Sequence, residues 1–531
     1  MTSSLKTGSP PDTARHDDPV KTTNFPSVLF GREETPQHTA IPDFFGDLNL
    51  DQVVDAVTAG ASEYDLRPFF QSPLASVDAI FFRHEVFRDL SNAKLFADVE
   101  RFAASMRDVR VHTSLSEKLY YKLHKEGWFV RAIEIYCAAV QQFADDLACA
   151  PLASRGLVSL RDHLSSYVDS AGFKSLRDEG KRITEELSQL TYSVLVNDDS
   201  FTVRPFHNEA EYSAEVESTF EKFKQGAVAS YLARYSNAPQ DMNSIEAKVL
   251  EFVARLYPER FERLADYCKR QLHFVDGSIA VFDREIQFYI SYLKLTTKLG
   301  RAGLPFCLSE MSNHSKDIHC RDGFDIALAL KLVSEGKSVV CNDFDMSGRE
   351  RVIVVSGPNQ GGKTTFARMF GQLHYLARLG CPVPCREARL FPFDQLFTHF
   401  ERQEKVENLR GKLEDDLLRI RTIIDRTSPD SILVLNEIFT STTIRDEIFL
   451  SRKIMEKIIA RDLLCVWVTF VDELSTFSKQ TVSVVSTVVP DQPALRTFRI
   501  ERRGADGLAY AMAIAEKYGL TYDRVKERVA G

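Results

Sequence analysis

Apolar residues recur at three- and four-residue spacing from Val77 to Leu90, Glu117 to Leu147 and Lys174 to Leu190, with charges on the opposite faces. That periodicity predicts amphipathic helices. It returns from Glu211 to Arg234 and from Ser244 to Leu299. Between these tracts, Tyr192 to Arg204 alternates apolar and polar residues around Asn197-Asp198-Asp199-Ser200, which predicts a hairpin at about residues 191–206. After a break at Gly300-Arg-Ala-Gly-Leu-Pro305, the pattern changes to short apolar runs: Ser338 to Cys341, Val352 to Ser356, Ser431 to Leu435, Leu464 to Val468 and Thr481 to Val489. Runs of this kind read as strands buried on both faces, and their alternation with helical stretches predicts a mostly parallel sheet wrapped by helices. In such folds ligands bind at the carboxyl ends of the strands. The expected fold class is therefore multidomain α and α/β. A disordered N-terminal tail covers residues 1–40, an elongated helical region with a small hairpin covers 41–300, and an α/β domain covers 301–531.

Composition narrows the picture only a little. The chain has 531 residues, 44% of them hydrophobic and 27% charged, too long for one ordinary core and typical of folded domains. No run of 18 apolar residues is available to span a membrane, and the Ser-, Thr-, Pro- and Asp-rich start lacks the apolar segment of a signal peptide. Nine scattered cysteines suit a reducing cytoplasm rather than a disulfide framework. Cys381-Pro-Val-Pro-Cys385 is too sparse a pattern for a zinc site, even with His374 and His399 near it in sequence, so no structural metal is expected. A net charge of −8 argues against a strongly basic nucleic-acid protein, though it leaves room for a local basic groove.

The chemistry concentrates at Gly357-Pro358-Asn359-Gln360-Gly361-Gly362-Lys363-Thr364-Thr365. These residues complete a G-x-x-x-x-G-K-[ST] phosphate loop between a buried-strand run and a helical pattern. The glycines allow backbone N–H groups to encircle phosphate oxygens, and the helix N-terminus adds favourable partial charge. Lys363 is expected to reach the β- and γ-phosphates of ATP, and the Thr364 hydroxyl to ligate Mg²⁺. Downstream, Ser431-Ile-Leu-Val-Leu-Asn436-Glu437 ends a strand in two polar residues. In nucleotide hydrolases of this layout the first such position holds Mg²⁺ through water and the second polarises the attacking water. Asn436 and Glu437 are the corresponding candidates, with Glu437 as general base.

These residues resemble the MutS family of DNA mismatch-repair ATPases. Gly357-Pro-Asn-Gln-Gly-Gly-Lys-Thr-Thr is similar to that family's distinctive phosphate loop, Val340-Cys-Asn342-Asp343 to the segment just before it, and Gly380-Cys-Pro-Val383-Pro384 to the segment after the first helix. Asn436-Glu437-Ile-Phe-Thr-Ser441-Thr442 and Gly507-Leu-Ala-Tyr510-Ala resemble two later segments, and Leu66 to Ile80 resembles the start of the helical core. The resemblance implies a helical core and lever region with a reduced clamp, joined to an ABC-like P-loop ATPase that works as a homodimer with composite ATP sites. It adds Asn342 to the ATP-binding candidates.

The departures are equally specific. No Phe-x-Glu triplet occurs in the sequence, so wedge-based mismatch reading is not expected, and no counterpart of the recognition and connector domains is expected before the core. Asn stands at 436 where the family has Asp, and Phe470 follows Thr469 where the family has His. Gly411-Lys412 aligns with the family's trans-acting Ser-Thr, which makes Lys412 a candidate charge donor to the γ-phosphate across the dimer. The expected function is an ATP-dependent DNA-binding protein, slowly hydrolysing ATP with Mg²⁺ to gate a clamp on double-stranded or branched DNA. It would be linked to mismatch repair, with a possible repair-protein partner. Lys174, Lys181, Arg182 and Arg204, near the hairpin, are the candidate DNA contacts. The alternative is a nucleotide-switched scaffold for a protein or ribonucleoprotein partner, without DNA recognition.

Overall fold

The computed structural model describes residues 27–31, 41–197, 200–207, 242–401, 411–489, 492–505 and 526. The helix expected from Glu211 to Arg234, most of the 1–40 segment, Asp198 and Asp199 of the hairpin turn, and the segment at Gly507 lie outside the described residues.

The first half is helical: α1 (Leu50–Thr58), α2 (Arg67–Gln71), α3 (Val77–Leu90), α4 (Ala93–Lys118), α5 (Lys122–Cys149), α6 (Arg155–Asp169) and α7 (Ala171–Ser188). A hairpin of β1 (Tyr192–Asn197) and β2 (Ser200–Pro205) comes next, then α8 (Ser244–Leu256), α9 (Pro258–Arg270) and α10 (Gly277–Gly300). Side-chain caps set several helix starts. Ser76 accepts a hydrogen bond from the Ala79 amide, Asn243 forms a capping box with Glu246, and Asp276 accepts from Ser278 and Ile279. The longest helices, α4 and α5, are 26 and 28 residues, each about 40 Å at helical rise. They zip together through aromatic rings: Phe102 stacks on Phe143 at 4.4 Å, and Phe282 of α10 lies 5.7 Å from Phe143. In the hairpin, Val194 pairs with Val203 and Val196 with Phe201. Phe201 reaches Phe252 of α8 at 5.9 Å.

The second half contains β3 (Glu310–Met311), β4 (Ile318–Gly323), α11 (Ile326–Ser334), β5 (Asn342–Met346), β6 (Val352–Ser356), α12 (Lys363–Arg378), β7 (Glu387–Leu390) and β8 (Leu396–Phe400). It continues with α13 (Lys412–Arg426), β9 (Ile432–Asn436), α14 (Ile444–Ala460), β10 (Leu464–Val468), β11 (Thr481–Val489) and β12 (Gln492–Arg502). A six-stranded sheet has the order β12-β11-β6-β10-β9-β8. All its pairings are parallel except the terminal β11/β12 pair. A smaller sheet, β3-β7-β4-β5, mixes parallel and antiparallel pairs. The strand expected at Ser338 to Cys341 is instead β5. Val339 and Val340 are only partly buried, while Phe344 and Met346 alternate inward between Asp343 and Asp345 on the outer face. The residues that pack are those with period two, and the adjacent apolar pair misled the reading.

Helix α12 is the hub between the halves. Its Gln372 amide donates to Leu48 O at 2.8 Å and to Asp325 Oδ1 at 2.9 Å, and its Oε1 accepts from Ile326 N at 2.9 Å. Tyr375 donates to Phe70 O at 2.9 Å, and Arg368 to Asp47 O at 2.9 Å. At the helix end the fully buried Arg83 of α3 donates to Leu379 O at 2.7 Å and to Leu29 O at 2.9 Å. Its guanidinium lies against the rings of Phe30 and Phe288. A buried cation is tolerable only when hydrogen-bonded in this manner.

Candidate functional site

The strand β6 is buried at all five positions and delivers the chain to a loop, residues 357–362, that runs into the N-terminus of α12. Gly357 has φ +112°, and a Cβ there would come within 2.9 Å of Ser486 O. At Gly361 a Cβ would meet Ser486 Oγ at 2.1 Å. The loop backbone therefore lies directly on β11, where Ser486 Oγ donates to Gly361 O at 2.7 Å. Amide groups of the first turn of α12 are left to face the cleft, a setting suited to an anion.

A cleft of about 740 Å³ opens over this loop. Asn359 to Thr365 line it, together with Leu328, Glu401, Glu437, Thr440, Phe470 and Phe498. Lys363 is 4% exposed, and burial lowers the pKa of its ammonium. The group donates to Gly357 O at 2.9 Å, Pro358 O at 3.1 Å and Asn359 Oδ1 at 3.5 Å. The Phe470 ring centroid is 4.4 Å from it. The Thr364 hydroxyl donates to Asn436 Oδ1 at 3.0 Å, joining the loop to the end of β9. Glu437 follows with φ +53°, its amide held by Val468 O at 2.9 Å. Burial raises its carboxyl pKa, the nearby Lys363 ammonium opposes the rise, and Glu401 adds to it.

Thus Asn359 to Thr365, Asn436 and Glu437 converge at the carboxyl ends of β6 and β9, with Gly357 and Pro358 beneath them. Asn342 does not line the cleft. Its amide clips β5 to β12, donating to Phe498 O at 3.1 Å and accepting from Ile500 N at 2.7 Å. Lys412, expected to serve a partner subunit, opens α13 and pairs with Glu401 of its own chain. Lys174 pairs with Asp169 at 3.0 Å and Lys181 with Glu185 at 3.8 Å, both on exposed surface. Arg182 and Arg204 are also exposed. None of these four lines the cleft.

Sequence reasoning did not single out Glu401, Phe498, Thr440, Ser486 or Arg496, whose Nε donates to Asn359 O at 3.1 Å. Thr440 lies within the segment already noted for its resemblance, and Glu401 follows the carboxyl end of β8, a strand the apolar pattern did not show. For a metal, the cleft offers the hydroxyl of Thr364, the amide oxygen of Asn436 and the carboxylates of Glu437 and Glu401. Among the described residues no group of three or more His, Cys, Asp or Glu could hold an ion. The donor set therefore fits Mg²⁺ only together with phosphate oxygens and water, the manner in which that ion is ordinarily bound. Cys381 and Cys385 are buried, and Cys385 Sγ lies 3.5 Å from Cys307 Sγ.

Comparison with known proteins agrees with this layout. The sequence model for MutS domain V matches residues 353–527. The DNA mismatch repair protein MutS of Thermotoga maritima is 26% identical over 223 residues, which are 41% of this chain and 28% of that protein. That of Aquifex pyrophilus is 22% identical over 533 residues, covering 91% of this chain and 59% of the relative. The chain therefore spans between about a quarter and three fifths of the length of these curated relatives. A match that runs along most of the chain and a domain model that falls on the loop, β9 and β10 both make the chain similar to the MutS family.

Proposed function

We propose that the protein is an ATPase of the MutS type, in which residues 301–531 form an ABC-like P-loop domain and residues 41–300 a helical core and lever region. The observation that carries this reading is the convergence of Lys363 and Thr364 on Asn436 and Glu437, tied by the 3.0 Å Thr364–Asn436 hydrogen bond. Loop amides and Lys363 would bind the β- and γ-phosphates. Thr364, and Asn436 through water, would hold Mg²⁺, which supplies charge neutralisation when bound. Glu437 would take a proton from the water whose oxygen attacks the γ-phosphorus, while the bond to the bridging oxygen breaks and ADP leaves. The replacement of a carboxylate by Asn436 supports slow turnover. ATP held between two copies would draw the ATPase domains together, and α4 and α5, rigidly packed, would carry the movement toward the hairpin, gating a clamp on DNA.

A second reading, a nucleotide-switched scaffold for a protein partner, is favoured by the hairpin itself. Val196 is 77% exposed, Tyr192, Val194 and Phe206 are also exposed, and the nearby Lys174 and Lys181 already have acidic neighbours. Apolar exposed surface suits a protein better than a phosphate backbone. Fluorescence anisotropy with homoduplex, mismatched and branched DNA, at two salt concentrations and with or without ATP, separates the two. Nucleotide-dependent, salt-sensitive binding supports the clamp. Absence of binding to every DNA form supports the scaffold.

A further inference from the structure

We propose that Phe470 is a gate for the terminal phosphate: its ring occupies the space on Lys363 that a γ-phosphate must take, so the closed cleft favours a nucleoside diphosphate over a triphosphate. This rests on the nucleotide reading of the cleft and names a control on it. Three acceptors, Gly357 O, Pro358 O and Asn359 Oδ1, surround the Lys363 ammonium, and the Phe470 ring lies 4.4 Å away. With only 4% of Lys363 exposed, an incoming oxygen must displace one of these neighbours.

The two carbonyls belong to the loop backbone and cannot leave without unmaking it, and Asn359 Oδ1, at 3.5 Å, is the longest of the three polar contacts. The ring can leave. Phe470 is 46% exposed, so rotating it opens no cavity in the core. The backbone beside it is fixed, because Thr469 N donates to Val355 O at 3.1 Å and Val471 N to Thr469 Oγ1 at 3.0 Å. Only the side chain needs to move. The β-phosphate has the amides of residues 360–364 to hold it as well as Lys363, whereas the γ-phosphate, beyond those amides, depends on Lys363 and so on the space beside it. A cation over an aromatic face is held by the ring quadrupole, and a phosphate oxygen must replace that contact. Glu437 and Glu401 line the same cleft, and the Lys363 ammonium opposes the burial-driven rise of the Glu437 carboxyl pKa.

The test compares equilibrium binding of ADP and of β,γ-imido-ATP, by displacement of a fluorescent ADP analogue, in the wild type and in Phe470→Ala, Phe470→Leu and Phe470→Tyr. The gate predicts that wild type and Phe470→Tyr bind ADP at least as tightly as the triphosphate. Phe470→Ala and Phe470→Leu should shift the ratio toward the triphosphate by about fivefold, the value of one partly desolvated cation–π contact. Ratios that agree within twofold across all four proteins, with both nucleotides bound, overturn the gate and leave the nucleotide reading standing. Failure of all four to bind either nucleotide overturns the nucleotide reading itself.

Discussion

Acidification should destabilise this protein through two fully buried histidines. His84 and His374 are both 0% exposed, and burial lowers each imidazole from 6.5 to about 4. Arg88 adds a like charge near His84, while His374 Nδ1 bonds to Phe370 O at 2.8 Å. Because the folded pKa lies below the unfolded one, the unfolded chain binds more protons between pH 6.5 and 4, and stability falls as pH drops through that window. From pH 7 to pH 5 each histidine removes about 2 kcal/mol, or about 4 kcal/mol together. Asp283 acts in the opposite sense. Burial outweighs its Arg110 partner and raises its carboxyl from 3.8 to about 6, so it is destabilising when ionised and returns about 1 kcal/mol over the same interval. Glu126, Glu285 and Asp325, which burial also raises, act as Asp283 does, so the histidine contribution is isolated by substitution rather than read from the total. Urea unfolding followed by tryptophan fluorescence at pH 7, 6 and 5 measures the pH dependence. His374→Gln, whose amide is neutral throughout and can still donate to Phe370 O, should reduce the loss by about 2 kcal/mol. An unchanged pH dependence in that variant would refute the assignment.

At the cleft, Asn436→Asp keeps an acceptor for the Thr364 hydroxyl and adds a charge, so half-saturation of turnover by Mg²⁺ should fall by about tenfold in a magnesium titration. Glu437→Gln should retain ATP in filter binding while phosphate release drops at least about a hundredfold, the usual effect of losing a general base. Gly361→Ala places a Cβ 2.1 Å from Ser486 Oγ and 2.9 Å from Pro358 O, which should abolish nucleotide binding while circular dichroism still reports a folded chain. Arg83→Met leaves Leu29 O and Leu379 O without their donor and should lower the melting temperature, with about 2 to 4 kcal/mol lost.

The parts of the structure legible in advance were those where one physical demand dominates. Strands β6, β9 and β10 are buried on both faces, so each is a continuous apolar run that nothing else explains. The loop at 357–362 was legible because close backbone approach leaves glycine as the permitted residue at Gly361. Edge strands were harder. Strand β12 interleaves Arg496, Arg499, Glu501 and Arg502 with its apolar residues, and among its described side chains only Ile500 is buried. Long-range pairing was beyond reach: nothing local tells Lys412 that Glu401 will face it across residues 402–410, or Asn342 that β12 will occupy its amide. The replacement at Phe470 was visible, but not the placement of its ring on Lys363.

The central claim is that the loop carrying Lys363 binds ATP and works with Glu437 to hydrolyse it. Steady-state phosphate release from ATP in Mg²⁺ by the purified protein, with Lys363→Ala prepared in parallel, tests it most directly. The account predicts slow release by the wild type and at least about tenfold less by the variant, consistent with loss of the phosphate-binding cation. Equal rates in the two proteins, or no release from either, would contradict it.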